Sequence, residues 1–174
     1  MCIRDSPLSL PIYVSQQTGI WNDASNWLRD GIVNEIPTIG SQVQVQNNHE
    51  ITFDADLINV YNLQIDGKVK VNNTIKHNLG IVNGNGIIEM NSGQFPGGSF
   101  DDFLTTTGGV VEYAGTGVYQ TSSRVTAVRG LIFSGTGTRE IPALSTLVGD
   151  SIQIDGVTVD NRINNSSFDL EGDI

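Results

Sequence analysis

The sequence predicts an all-β fold: a right-handed parallel β-helix, in which short strands stack coil upon coil. Three observations predict it. The periodic stretches have period two, glycine turns recur at a near-constant spacing, and the repeated units return in the same order. A β-sandwich built from antiparallel hairpins also spaces short strands closely and is the alternative. Units that return in one order, and not as mirror pairs, favour the helix.

The N-terminal string Met1-Cys2-Ile3-Arg4-Asp5-Ser6 stands apart from the rest of the chain. It holds the single cysteine and the only basic residue before Arg29. Its coding sequence resembles a transposase-end adapter from library preparation, so residues 1–6 are read as an artefact and set aside from fold reasoning. Residues 7–18 read as a first strand or linker. The apolar piece Pro7–Val14 is taken as a strand, with a signal-peptide remnant as the alternative. Residues 19–174 read as the coils. The tail Glu171-Gly172-Asp173-Ile174 stops in mid-pattern, so the chain is expected to be a fragment of something longer, with the parent chain stacking at both ends.

Composition supports this reading. Twenty glycines in 174 residues, with abundant Asn and Thr, suit short strands and turns more than helices. A net charge of −10, with only nine Lys plus Arg, disfavours nucleic acid, whose binding needs basic patches, and anionic lipid. Without Cys2 there is no disulfide, thiolate nucleophile or cysteine zinc site. No run of about 18 apolar residues suggests a membrane helix.

Gln42-Val43-Gln44-Val45-Gln46, Val69-Lys70-Val71 and Ile152-Gln153-Ile154 alternate cleanly, which places one set of side chains in a core and the other in solvent. Turns come after strands at Asp66-Gly67, Asn83-Gly84, Ala114-Gly115, Ser134-Gly135 and Asp155-Gly156. The first two lie 17 residues apart, and the last three are 20 and 21 apart. The long gap between Gly84 and Gly115 reads as an inserted loop near 94–109. Val110–Gly117 aligns with Leu131–Gly137 at a shift of 20, and Gln64-Ile65-Asp66-Gly67 recurs as Gln153-Ile154-Asp155-Gly156.

The front stretch carries the most specific pattern. Gly19, Trp21, Asp23 and Trp27 are followed by Pro37, Gly40, Val43 and Val45, then Ile51-Thr52-Phe53, then Leu63, Ile65 and Gly67. This resembles the head of bacterial secreted and cell-surface β-helix proteins, adhesin-like cargo often exported by the type IX route. Phe103–Gly115 and Leu131–Gly137 are similar to further segments of such proteins, and the front is more weakly similar to the glycine-rich G8 domain. Ser41 replaces the Asp that comes after the glycine in that pattern. The resemblance covers most of 19–174 and implies export and a repetitive ectodomain. The family offers no catalytic residues to carry over.

Candidate sites are few. Trp21 and Trp27 could stack on sugars, but are read as the cap of the first coil. Asp54 with Asp56, and Asp101 with Asp102, are the close acid pairs; acid pairs can serve glycoside hydrolysis or bind calcium. Neither has a calcium-loop spacing, so both are read as solvated turn residues, with Asp101 and Asp102 preferred for lying on the insertion. His49 and His77 lack a second ligand at zinc spacing, and Gly84-Asn85-Gly86 is a turn. Asn72-Asn73-Thr74 and Asn165-Ser166-Ser167 match a glycosylation pattern by chance, or stack as amide ladders between coils. The expectation is therefore a structural, non-enzymatic segment with no catalytic residue, metal or cofactor. Its partners would be glycans or other surface proteins, and its location secreted or at the bacterial cell surface. The alternatives are a fragment of a polysaccharide lyase or hydrolase, in which acids and bases would gather on one sheet, and a carbohydrate-binding module. The basic residues look scattered in sequence, which counts against the enzyme.

Overall fold

The computed structural model describes residues 9–55, 57–72, 76–143, 145–162 and 167–170. The readings placed on Met1–Leu8, Asp56, Asn73-Thr74, Asn165-Ser166 and Glu171–Ile174 lie outside the described residues. The strands are β1 (Ile12–Ser15), β2 (Gly19–Ile20), β3 (Trp27–Arg29), β4 (Gln42–Val45), β5 (Glu50–Phe53), β6 (Asn62–Ile65), β7 (Lys68–Val71), β8 (Asn78–Asn83) and β9 (Ile87–Met90). They continue as β10 (Gly97–Ser99), β11 (Val110–Tyr113), β12 (Val118–Gln120), β13 (Ala127–Phe133), β14 (Gly137–Glu140), β15 (Ser145–Ile154), β16 (Val157–Asp160) and β17 (Ser167–Leu170).

These strands wind into a β-solenoid of about six turns. A first face has the order β10-β8-β6-β4-β1-β3, a broad face β17-β15-β13-β11-β9-β7-β5-β2, and a third face β12-β14-β16. Strands adjacent in a face are one coil apart in the chain and pair in parallel. β1 and β3 are the exception, pairing antiparallel at the front end. Parallel pairing between successive coils excludes the β-sandwich, whose hairpins would pair antiparallel.

Alternation and register together build the core. On the broad face Ile51, Val69, Ile88, Val111, Leu131 and Ile152 stand in one column. Phe53, Val71, Met90, Tyr113, Phe133 and Ile154 form the next. All but the two members on β15 are buried, and Ile154 is 57% exposed. A slip of one residue in any strand would turn its whole set outward, so the burial itself locks the register.

Glycine turns fall into two stacked corners, which explains their spacing. Asp66-Gly67 and Asn83-Gly84 join the first face to the broad face, whereas Ala114-Gly115, Ser134-Gly135 and Asp155-Gly156 join the broad face to the third. The gap between the two series is thus a change of corner as well as an insertion. The alignment at a shift of 20 is the real register, since Val111 pairs with Leu131 and Tyr113 with Phe133. The tetrad repeat is not: Gln64–Gly67 turns the first corner and Gln153–Gly156 the second, so Ile65 is buried while Ile154 is exposed. The two share turn chemistry, not a position in the coil.

The insertion is built into the stack. β10 adds to the first face beside β8, and Phe95, Phe100 and Phe103 pack edge to face beneath the next turn. A Cβ at Gly109 would enter the Phe103 ring, which is why the chain returns to β11 through glycine. No helix is long and apolar enough to cross a membrane among the described residues.

Candidate functional site

The head pattern resolves into a packed end. Trp21 and Trp27 are 3% and 0% exposed, with ring centroids 5.0 Å apart in an edge-to-face pair. Trp27 Nε1–H donates to the Trp21 carbonyl at 2.9 Å, and Trp21 in turn meets the edge of Phe53. Between the two indoles a single 3-10 turn, Ala24–Asn26, is capped by Asp23, whose Oδ1 accepts from the Ser25 N–H and Oγ. These bonds hold the Asp23 carboxyl below the usual range. Gly19 leaves room for the Asn26 side chain, which would collide with a Cβ there. Neither indole offers a face to a sugar, so the platform reading fails and the cap remains. Ser41, fully buried, donates its hydroxyl to the Thr38 carbonyl at 2.7 Å.

Asp54, Asp101 and Asp102 are exposed at the surface. Asp54 accepts from the Asn22 N–H at 3.0 Å. Asp101 accepts from Ser99 Oγ at 2.8 Å, and both Asp101 and Asp102 are exposed. Among the described residues no three His, Cys, Asp or Glu side chains gather as a metal site. His49 Nδ1 lies 2.8 Å from Ser15 Oγ, across neighbouring coils. His77 is buried inside the solenoid: its Nδ1 accepts from the Ile58 N–H at 3.0 Å, which puts the ring proton on Nε2, an atom with no hydrogen-bond partner among the described residues. Burial pushes its pKa below the ordinary histidine value, and the Lys76 charge adds to the shift. A single amide pair between coils, at positions other than those singled out above, runs from Asn83 Nδ2 to Asn62 Oδ1 at 3.3 Å.

Basic residues that look scattered in sequence converge on the broad face. Lys68 Nζ lies 2.6 Å from Glu89 and 2.7 Å from Glu112, and Lys70 Nζ lies 2.8 Å from Glu50 and 3.9 Å from Glu89. Glu112 also accepts from Ser134 Oγ at 2.7 Å. Parallel register does this, because Thr52, Lys70, Glu89 and Glu112 occupy one outward column and Glu50 and Lys68 the neighbouring one. Burial pulls the Lys68 pKa down, but its bonds to Glu112 and Glu89 outweigh that, and the net shift is upward. Beside this row, at the first corner, lies an open groove of about 400 Å3 lined by His49, Glu50, Asp66, Lys68 and Arg129 among others. Arg129 is spent on the carbonyls of Gly108 and Asn85, at 3.0 and 2.6 Å.

Sequence reasoning passed over Arg139. It points inward from β14 and is 0% exposed. Its guanidinium donates to the carbonyls of Ser134, Gly117, Thr136 and Thr138 at 2.8, 3.1, 3.3 and 3.4 Å, and to that of Gly115. It also lies 4.3 Å above the Tyr119 ring. Two stacked corners thus turn their carbonyls onto one cation. A basic residue in an otherwise alternating strand, just after Gly135 and Gly137, was the signal available.

A larger open cleft, about 720 Å3, lies between residues 92–95 and the 119–123 stretch. No family model, curated protein or solved structure matches this chain.

Proposed function

We propose that the chain is a non-enzymatic structural segment, a rigid adhesin-like spacer in an exported bacterial surface protein, with glycans or other surface proteins as its partners. The observation that carries this reading is the charge row on the broad face. Its two lysines and three glutamates pair with one another from coil to coil, and Lys68 spans from β7 to β11. Charges used in this way tie coils together, and both lysines of the broad face are engaged by glutamates. The acidic composition and the head pattern support placement outside the cell.

A second reading has its own observation in favour. The groove at the first corner brings His49, Glu50 and Lys68 within reach of one ligand, and such a gathering suits a polysaccharide lyase or hydrolase. The test is to incubate the 174-residue chain with neutral and acidic polysaccharides and to follow reducing ends and unsaturated products. The spacer reading expects neither. Product release that disappears in Lys68→Met would overturn it.

A further inference from the structure

We infer that the 720 Å3 cleft under β12 is a binding site for a neutral oligosaccharide. The inference deepens the glycan-partner part of the spacer reading and rests on it. The cleft arises from a change in the shape of the coils. After β9 the chain passes from Met90 to Gly97 without a third-face strand, whereas after β11 it forms β12 before starting β13. Among the described residues the third face therefore begins at β12, which pairs with β14 alone. The cleft fills the step below it, with residues 92–95 as its other wall. Gly93 closes the step at one point: a Cβ there would strike the Gln120 carbonyl.

The lining chooses the ligand. In a chain of net charge −10 the residues around this cleft carry no charged side chain. Instead they offer the hydroxyls of Ser122 and Ser123, the amides of Gln94 and Gln120, and the half-buried rings of Phe95 and Tyr119, each of which carries an arginine over one face. Rings receive the C–H face of a sugar, and amides and hydroxyls both donate to and accept from its hydroxyls. The nearby Arg124 does not make the cleft an anion site. Its guanidinium donates to the carbonyls of Pro96 and Gly98 at 3.3 and 2.9 Å and covers the Phe95 and Phe100 rings at 5.7 and 5.1 Å. These contacts also hold the Phe95 wall in place. The cleft is open, which suits a polymer passing through it, and its volume lies in the range of about 300–1,000 Å3 usual for small-molecule sites. An extended peptide added to the edge of β12 is the competing occupant, but that strand spans three residues and would supply only about two ladder bonds.

The experiment titrates the 174-residue chain, labelled for NMR, with hexasaccharides of β-glucan, mannan, xylan and galactan, and with oligogalacturonate and an uncharged extended heptapeptide. At least one neutral hexasaccharide at about 1 mM should shift amides of residues 92–95 and 119–123. The double variant Gln94→Ala/Gln120→Ala, both exposed positions, should weaken that binding about tenfold with an unchanged melting temperature. The inference is overturned by silence from every neutral sugar, by shifts elsewhere, by a variant that binds unchanged, or by a preference for the peptide or the acidic sugar. None of these results would touch the spacer role, which the cleavage screen tests separately.

Discussion

Replacing Arg139 by methionine should be the most damaging single change on the third face. Methionine keeps an apolar stem of similar reach and removes the guanidinium. The backbone carbonyls that accept from it, most of them part-buried, then lose a charged donor. Each such bond contributes about 1.5–3 kcal/mol net, but bonds to one group do not add. The Tyr119 ring loses a cation 4.3 Å away, worth about 2 kcal/mol when desolvated. Leaving several carbonyl acceptors of one hydrogen-bond network without their donor costs about 3–5 kcal/mol in all. At about 2–4 °C per kcal/mol for a domain of this size, the melting temperature should fall by about 10 °C. Arg139→Lys should fall between, since an ammonium has three donors and no planar fork. Circular dichroism melts give the global change. Hydrogen exchange should place it at 113–120 and 134–140, because solenoids loosen coil by coil. A methionine variant that melts within about 2 °C of wild type would refute the assignment of the guanidinium as the corner clamp.

Other outcomes rest on single contacts. The lowered pKa of His77 means that the unfolded chain takes up a proton at higher pH than the folded one. Stability from this group is therefore complete above about pH 6.5 and is lost as pH falls through that value toward the folded pKa. Denaturant midpoints at about pH 7 and pH 5 should show the loss, and His77→Leu should start lower yet lose less; an equal loss in both would exclude His77 as the cause. Trp27→Ala removes a fully buried indole and its bond to the Trp21 carbonyl, and should cost about 3–5 kcal/mol, read as early exchange of residues 12–29. An exchange pattern confined to Trp27 itself would argue against a shared cap.

The fold was legible because a parallel solenoid repeats short-range chemistry. Alternation in Gln42–Gln46 and Ile152–Ile154, and the glycine turns, report local structure, and the shift of 20 between Val111 and Leu131 proved to be the stacking register. The tetrad at Gln153 misled, because a turn motif marks a corner without saying which one. The burial of Trp21 and Trp27 was readable from their place at the head of the repeats. The broad-face row was not, since Lys68, Glu89 and Glu112 come together only once three coils are in register. Arg139 was hidden for a related reason: its partners are backbone carbonyls, which leave no mark on residue type. The cleft under β12 comes from a strand present in one coil and missing in the one before, a difference that depends on which corner each glycine turns.

The broad-face charges hold coils to one another. A double-mutant cycle with Lys68→Met and Glu112→Gln, read from thermal unfolding of the 174-residue chain, tests it most directly. The pair is 2.7 Å apart, with side chains 23% and 12% exposed. After allowance for water at the open face, the account predicts a coupling of about 1 kcal/mol that shrinks as salt is raised. Effects that add within about 0.3 kcal/mol at low salt would contradict it.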